Sequence, residues 1–129
     1  MKQPLLLVLT AVLGLIAPSA LPAAEPGTTF AHNVFFTLND KSPAAQDKLV
    51  EACHRYLKKQ QGVISFSAGK RAPESRREVN DLEFDVSLHI VFKTSADQSA
   101  YQRDPQHQRF IDENSSNWAR VRVFDSYVK

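Results

Sequence analysis

The chain has 129 residues, a formal net charge of +2, four glycines and a single cysteine, enough for one modest domain. A charge so close to neutral excludes a nucleic-acid platform, because the arginines are dispersed (Arg76 and Arg77, then Arg120 and Arg122) with no aromatics alternating between them. One thiol excludes an internal disulfide, and without a glycine-rich phosphate loop, a CxxC or an HExxH the sequence offers no cofactor or metal motif, so neither is expected.

Residues 1–24 read as a leader. Lys2 supplies a positive start, Leu5–Ala17 is an apolar run without charge, and the small residues of "PSALPAA" suit a signal peptidase cutting after Ala20, Ala23 or Ala24. The run is short for the roughly 30 Å of a bilayer core. It therefore predicts a secreted or periplasmic protein with no membrane attachment once cleaved; an uncleaved anchor is the alternative. Loss of Lys2 with the leader lowers the charge to +1. About 105 residues remain, a size at which burial against a partner helps stability.

In the remaining chain, Phe30–Leu38 is rich in β-formers and predicts a first strand, with His32, Val34, Phe36 and Leu38 on one face and Ala31, Asn33, Phe35 and Thr37 on the other. Ser42 and Pro43 open a helix predicted to reach about Gln60. Its apolar stripe holds Ala45, Leu49, Ala52, Cys53, Tyr56 and Leu57, so Cys53 reads as a buried small hydrophobe. His54, beside the stripe, reads as a surface residue. Gly62 closes the segment.

Val63–Gly69 predicts a second strand. The charged stretch Lys70–Asp81 predicts a loop long enough to serve as a flap or lid. Leu82–Lys93 predicts a third strand with Phe84, Val86, Leu88, Ile90 and Phe92 on an apolar face and Glu83, Asp85, Ser87, His89 and Val91 opposite. Ser95 is placed as the cap of a helix that Asp104-Pro105 interrupts near Arg103. A second helical piece runs to about Asn114, and Trp118–Val128 forms a closing strand.

The order strand, helix, strand, strand, helix, strand predicts an α+β, ferredoxin-like βαββαβ fold, with a four-stranded antiparallel sheet and both helices on one side. The uncovered face keeps Phe35 and Val91, so a second copy is expected to cover it, pairing two sheets into a dimeric α/β barrel.

Five short segments in this order, "AHNVFFTL", "GVISFSAGK", "EFDVSLHIVF", "YQRDPQH" and "VFDSYV", resemble the stress-responsive dimeric α/β-barrel (Dabb) family over residues 30–128. The resemblance implies the same dimeric barrel. One plant branch of that family includes a polyketide cyclase that closes an aromatic ring by intramolecular aldol condensation. It uses the tyrosine and histidine of a Tyr-x-x-His-Pro-x-His motif, helped by a first-strand histidine. Tyr101, His107 and His32 match those positions. Asp104 stands where the motif has its first histidine, and a third-strand histidine of that branch falls at Asp85.

The corner at Asp104-Pro105 has a chemical reading of its own. Asp104 can cap the second helical piece and put His107 in its first turn, where the helix dipole disfavours an imidazolium and the Asp104 carboxylate favours one. A neutral His107 is a base, and the Tyr101 hydroxyl can donate to a carbonyl oxygen whose charge grows as a proton leaves the adjacent carbon. The plainer reading makes both residues half-buried structural groups. Asp85, His89 and Phe36 are secondary candidates for substrate contact; His32, Asp85 and His89 could together suggest a metal site, but they lack a full ligand set. Asp125 reads as a bond fixing the last strand. Three functions compete: binding of a small apolar or aromatic ligand between sheet and helices, a cofactor-free lyase or cyclase, and a structural dimeric stress protein.

Overall fold

A computed structural model describes residues 24–129 of the chain; residues 1–23, which hold nearly all of the expected leader, lie outside the described residues. The elements are β1 (Thr29–Leu38), α1 (Pro43–Leu57), β2 (Val63–Lys70), β3 (Val86–Phe92), α2 (Ser95–Arg103), α3 (Pro105–Asn114), a 3₁₀ turn (Ser115–Asn117) and β4 (Trp118–Val128). The four strands form one antiparallel sheet in the order β2-β3-β1-β4. Among the described residues no helix is long and apolar enough to cross a membrane.

Local chemistry explains the helix ends. Ser42 Oγ accepts from the Ala45 N–H at 3.2 Å, and Pro43 fills the first turn of α1, where its missing N–H costs nothing. The helix ends at Leu57, short of Gln60, because Lys58, Lys59 and Gln60 add nothing to the buried stripe of Leu49, Ala52, Cys53 and Leu57. Gly62 then turns the chain at φ +77°; a Cβ there would collide with the Asp97 side chain. Thr94, not Ser95, caps α2, accepting from the Asp97 N–H at 3.1 Å.

The core lies between the sheet and the helices. Period-two alternation sends Val34, Phe36 and Leu38 of β1 and Val86, Leu88, Ile90 and Phe92 of β3 to the same side, against α1, Tyr101 and Phe110. Full burial of each large side chain contributes roughly 1.5–3 kcal/mol. The helices pack over β1, β2 and β3. The corresponding row of β4, with Val121, Val123 and Tyr127, stays 40–49% exposed.

One expectation is corrected. The third strand begins at Val86 rather than Leu82, and Phe84 does not join the apolar row. Asp85 is the reason. Its N–H donates to the Phe36 carbonyl at 2.8 Å, while its carboxylate accepts from the Leu38 N–H at 2.8 Å and Lys41 Nζ at 2.9 Å. Those bonds fix the exit of β1 and take residue 85 out of strand alternation. Phe84 therefore packs on the outer sheet face, its ring 5.0 Å from that of Phe35. The end of the loop is strapped there too. Arg122 pairs with Asp81, and Thr37 Oγ1 donates to the Glu83 carbonyl. This anchored end lies on the face opposite the helices, so it does not cover the cleft between helices and sheet.

Candidate functional site

His32 lies on the helix-facing row of β1, where the register sets it opposite Asp125 of β4 and Ile90 of β3. Cross-strand partners on one face bring their side chains together. His32 Nδ1 donates to Asp125 Oδ1 at 2.7 Å, leaving Nε2 as the acceptor nitrogen of the neutral ring. The histidine is 3% exposed, whereas the Asp125 side chain is 40% exposed, so the pair opens to solvent from the carboxylate side.

The helix break supplies the other two rings. The Asp104 backbone is extended (φ −68°, ψ 135°), as its position before a proline favours. Its N–H donates to the Tyr101 carbonyl at 3.2 Å, and its carboxylate accepts from the Gln106 N–H at 2.7 Å, so it ends α2 and caps α3 at once. Tyr101 points into the core from the last full turn of α2. His107 comes from the first turn of α3 and stacks on it with ring centroids 4.4 Å apart. The His32 ring meets Tyr101 edge-on at 5.7 Å. Tyr101, His107 and His32 thus form one cluster.

The electrostatics assign roles. Burial lowers the pKa of His107, and the neighbouring His32 acts in the same direction; the Gln102 carbonyl and the Asp104 carboxylate oppose them. Burial is thus the first cause of a neutral His107 near pH 7. Its Nδ1 is buried without an aligned hydrogen-bond partner. Burial, with the Cys53 thiol nearby, raises the Tyr101 hydroxyl well above the ordinary tyrosine value, so Tyr101 is a proton donor and not a base. Cys53 is fully buried and pushed up to about 12, which leaves it an inert thiol.

The other candidates lie elsewhere. Phe36 is a core residue packed on Trp118 at 5.0 Å and Phe110 at 6.2 Å. Asp85 is committed to the exit of β1. His89 lies on the outer face of β3, bonded through Nδ1 to Asn33 Oδ1 at 2.8 Å and through Nε2 to Ser87 Oγ at 3.1 Å. The sheet therefore separates His89 from His32, and the metal set His32, Asp85 and His89 does not converge. Among the described residues no group of three or more His, Cys, Asp or Glu could hold a metal ion. His54 is exposed, edge-on to Phe66 at 5.1 Å.

Asp125 does make the bond expected to fix the last strand, and its partner is the site residue His32. Its alternation with Val123 and Tyr127 was readable, but its pairing with His32 depends on a register between residues 93 apart. Two cavities of about 410 and 400 Å³ follow α1 and α3, and neither is lined by Tyr101, His107 or His32. His32 reaches the exposed side of β4 through Asp125, which shares a sheet face with Val121, Val123 and Tyr127.

Known structures share this architecture. A dimeric ferredoxin-like protein of unknown function from Thermobifida fusca superposes with a TM-score of 0.66 at 14% identity, over 80% of this chain and 93% of that one. A Dabb family protein with a ferredoxin-like fold from Mesorhizobium loti gives 0.64 at 18% identity, over 77% and 95%. The hydroxynitrile lyase of Passiflora edulis gives 0.65 at 16% identity, over 81% and 96%. Identities this low establish a common fold and no common reaction. No curated protein sequence matches the chain significantly. The model of the stress responsive A/B barrel domain matches residues 30–128, spanning every strand and helix described above from Phe30 onward, and the chain belongs to that family.

Proposed function

We propose that this protein is an exported homodimer that binds a small apolar or aromatic ligand between sheet and helices, beside Tyr101, His107 and His32. The observation that carries this reading is the convergence of three rings from β1, α2 and α3 beside Asp125, on the exposed helix-side row of β4. The apolar part of a ligand lies along Val121 and Val123, and a polar group reaches Asp125 and His107. Export rests on the leader pattern of residues 1–24. The dimer rests on the apolar outer face and on structural neighbours described as dimeric. A solvatochromic aromatic probe such as anilinonaphthalene sulfonate tests the seat. Saturable binding that Val123→Asp abolishes supports it, and binding indifferent to Val123→Asp refutes it.

The bare, buried His107 Nδ1 favours a second reading, a cofactor-free lyase or cyclase. Neutral His107 takes a proton from carbon next to a carbonyl while Tyr101 donates a hydrogen bond to the carbonyl oxygen, and the Asp125 carboxylate keeps His32 oriented. Turnover lost in Tyr101→Phe and His107→Ala, with ligand affinity retained, distinguishes the enzyme from the binding protein.

A further inference from the structure

His89 occupies the middle of the outer sheet face and takes no part in the cluster on the other side. It belongs to a polar relay crossing three strands. Asn33 Nδ2 of β1 donates to the Phe124 carbonyl of β4 at 3.5 Å, Asn33 Oδ1 meets His89 Nδ1 of β3 at 2.8 Å, and His89 Nε2 meets Ser87 Oγ at 3.1 Å. A neutral imidazole satisfies every member. Nδ1–H donates to the Asn33 oxygen, and the Ser87 hydroxyl donates to Nε2. Protonation makes both ring nitrogens donors, forces Ser87 to turn, and leaves a charge to be solvated.

Among the described residues no carboxylate bonds His89, whose partners are the Asn33 amide and the Ser87 hydroxyl. β1 presents Asn33 and Phe35 to His89, the latter edge-on at 5.8 Å. β2 presents Ser67, its register partner, and β3 presents Ser87 and Val91. From β4 only Phe124 reaches it, through Asn33. The charged groups stand at the margin. Arg122 is held by Asp81, Arg120 lies near Glu83, and Arg71 adds a further positive charge while bonded to the Phe84 carbonyl. Beside the relay, Phe35, Phe84 and Phe124 line a cavity of about 310 Å³ that the Asp81–Arg122 pair closes on its polar side, and Phe124 is left 54% exposed.

We propose that His89 is an acid-sensitive latch between two copies of this chain: neutral, it lets the outer faces close; protonated, it drives them apart. The inference rests on the pairing proposed above. Burial already lowers the pKa of His89 in a single copy, and a twin molecule would remove its remaining water. The sign follows. A histidine whose pKa falls on association stabilises the pair fully above the free value, and that contribution is lost as pH falls through the free value toward the depressed one. An exported protein meets such changes more often than one kept at constant pH.

Sedimentation of the mature chain between about pH 7.5 and about pH 5 tests the latch. With two such histidines in each pair, the dimer Kd should rise by roughly 10-fold or more at the acid end. His89→Gln, and His89→Phe as a second neutral variant, should pair at both pH values. Dimers of the unaltered chain that hold equally well in acid overturn the latch and leave the pairing intact. Acid dissociation that persists in both variants also overturns it, because another group is then responsible. Monomers at both pH values refute the pairing itself, and the latch with it.

Discussion

His32 and His89 stand on adjacent strands of one sheet, and the two faces treat them oppositely. His32 points toward the helices, is 3% exposed and bonds a carboxylate that reaches solvent. His89 points away, is half-buried and bonds an amide and a hydroxyl. The residue type is the same. What differs is parity: the register sets His32 beside Ile90 and Asn33 beside His89, so neighbouring positions send their side chains to opposite sides. On the helix side this yields a cluster of proton-handling groups, His32, Tyr101 and His107. On the outer side it yields a mixed surface, an aromatic patch of Phe35, Phe84 and Phe124 beside a satisfied polar relay and the Arg122–Asp81 pair.

The largest break in this comparison should come from Tyr101→Ala. It empties a 3%-exposed site in the core, so thermal or denaturant unfolding should show a loss of about 3–5 kcal/mol. Phe124→Ala on the outer face should cost the monomer under about 0.5 kcal/mol, its effect appearing only in self-association. Equal losses for the two would mean that the faces do not differ as described.

A smaller effect should follow Asp125→Asn. A charge-assisted hydrogen bond is worth about 1.5–3 kcal/mol in dry surroundings, but this carboxylate is 40% exposed, so a loss of about 1 kcal/mol is expected. Asn33→Ala, which opens the relay on the other face, should cost a similar amount and leave the His32–Asp125 hydrogen bond in place.

The smallest effect is the pH dependence of His107. Its pKa is lowered in the folded protein, so the unfolded chain binds more protons and stability rises with pH through this group. The contribution is complete above about pH 6.5, the ordinary histidine value, and fades as pH falls below it. His107→Gln should flatten that limb of the stability profile, measured by urea unfolding at several pH values. A steeper limb would reverse the assignment.

Much of this arrangement could be read from single segments. The Asp104-Pro105 corner, the Ser42 cap, the parity of β1 and the proximity of Tyr101 to His107 are all decided within a few residues. Two features needed the folded chain. Phe84 looked like one more residue of an apolar row, but Asp85 spends its hydrogen bonds on the exit of β1, and the alternation stops there. Asp125 fixes the last strand as its sequence context suggests, but nothing local reveals that its partner is His32 of the first. Alternation orders side chains within a strand; only pairing tells which faces of two strands coincide. That is also why His32, Asp85 and His89 could be grouped on paper and fall apart in space.

The cluster at the helix break is tested most directly by nitrogen-detected NMR of the histidine rings near pH 7. The account predicts a neutral His107, and a His32 whose proton sits on Nδ1 in a bond that Asp125→Asn weakens. An imidazolium at His107, or a His32 protonated on Nε2 alone, would contradict it.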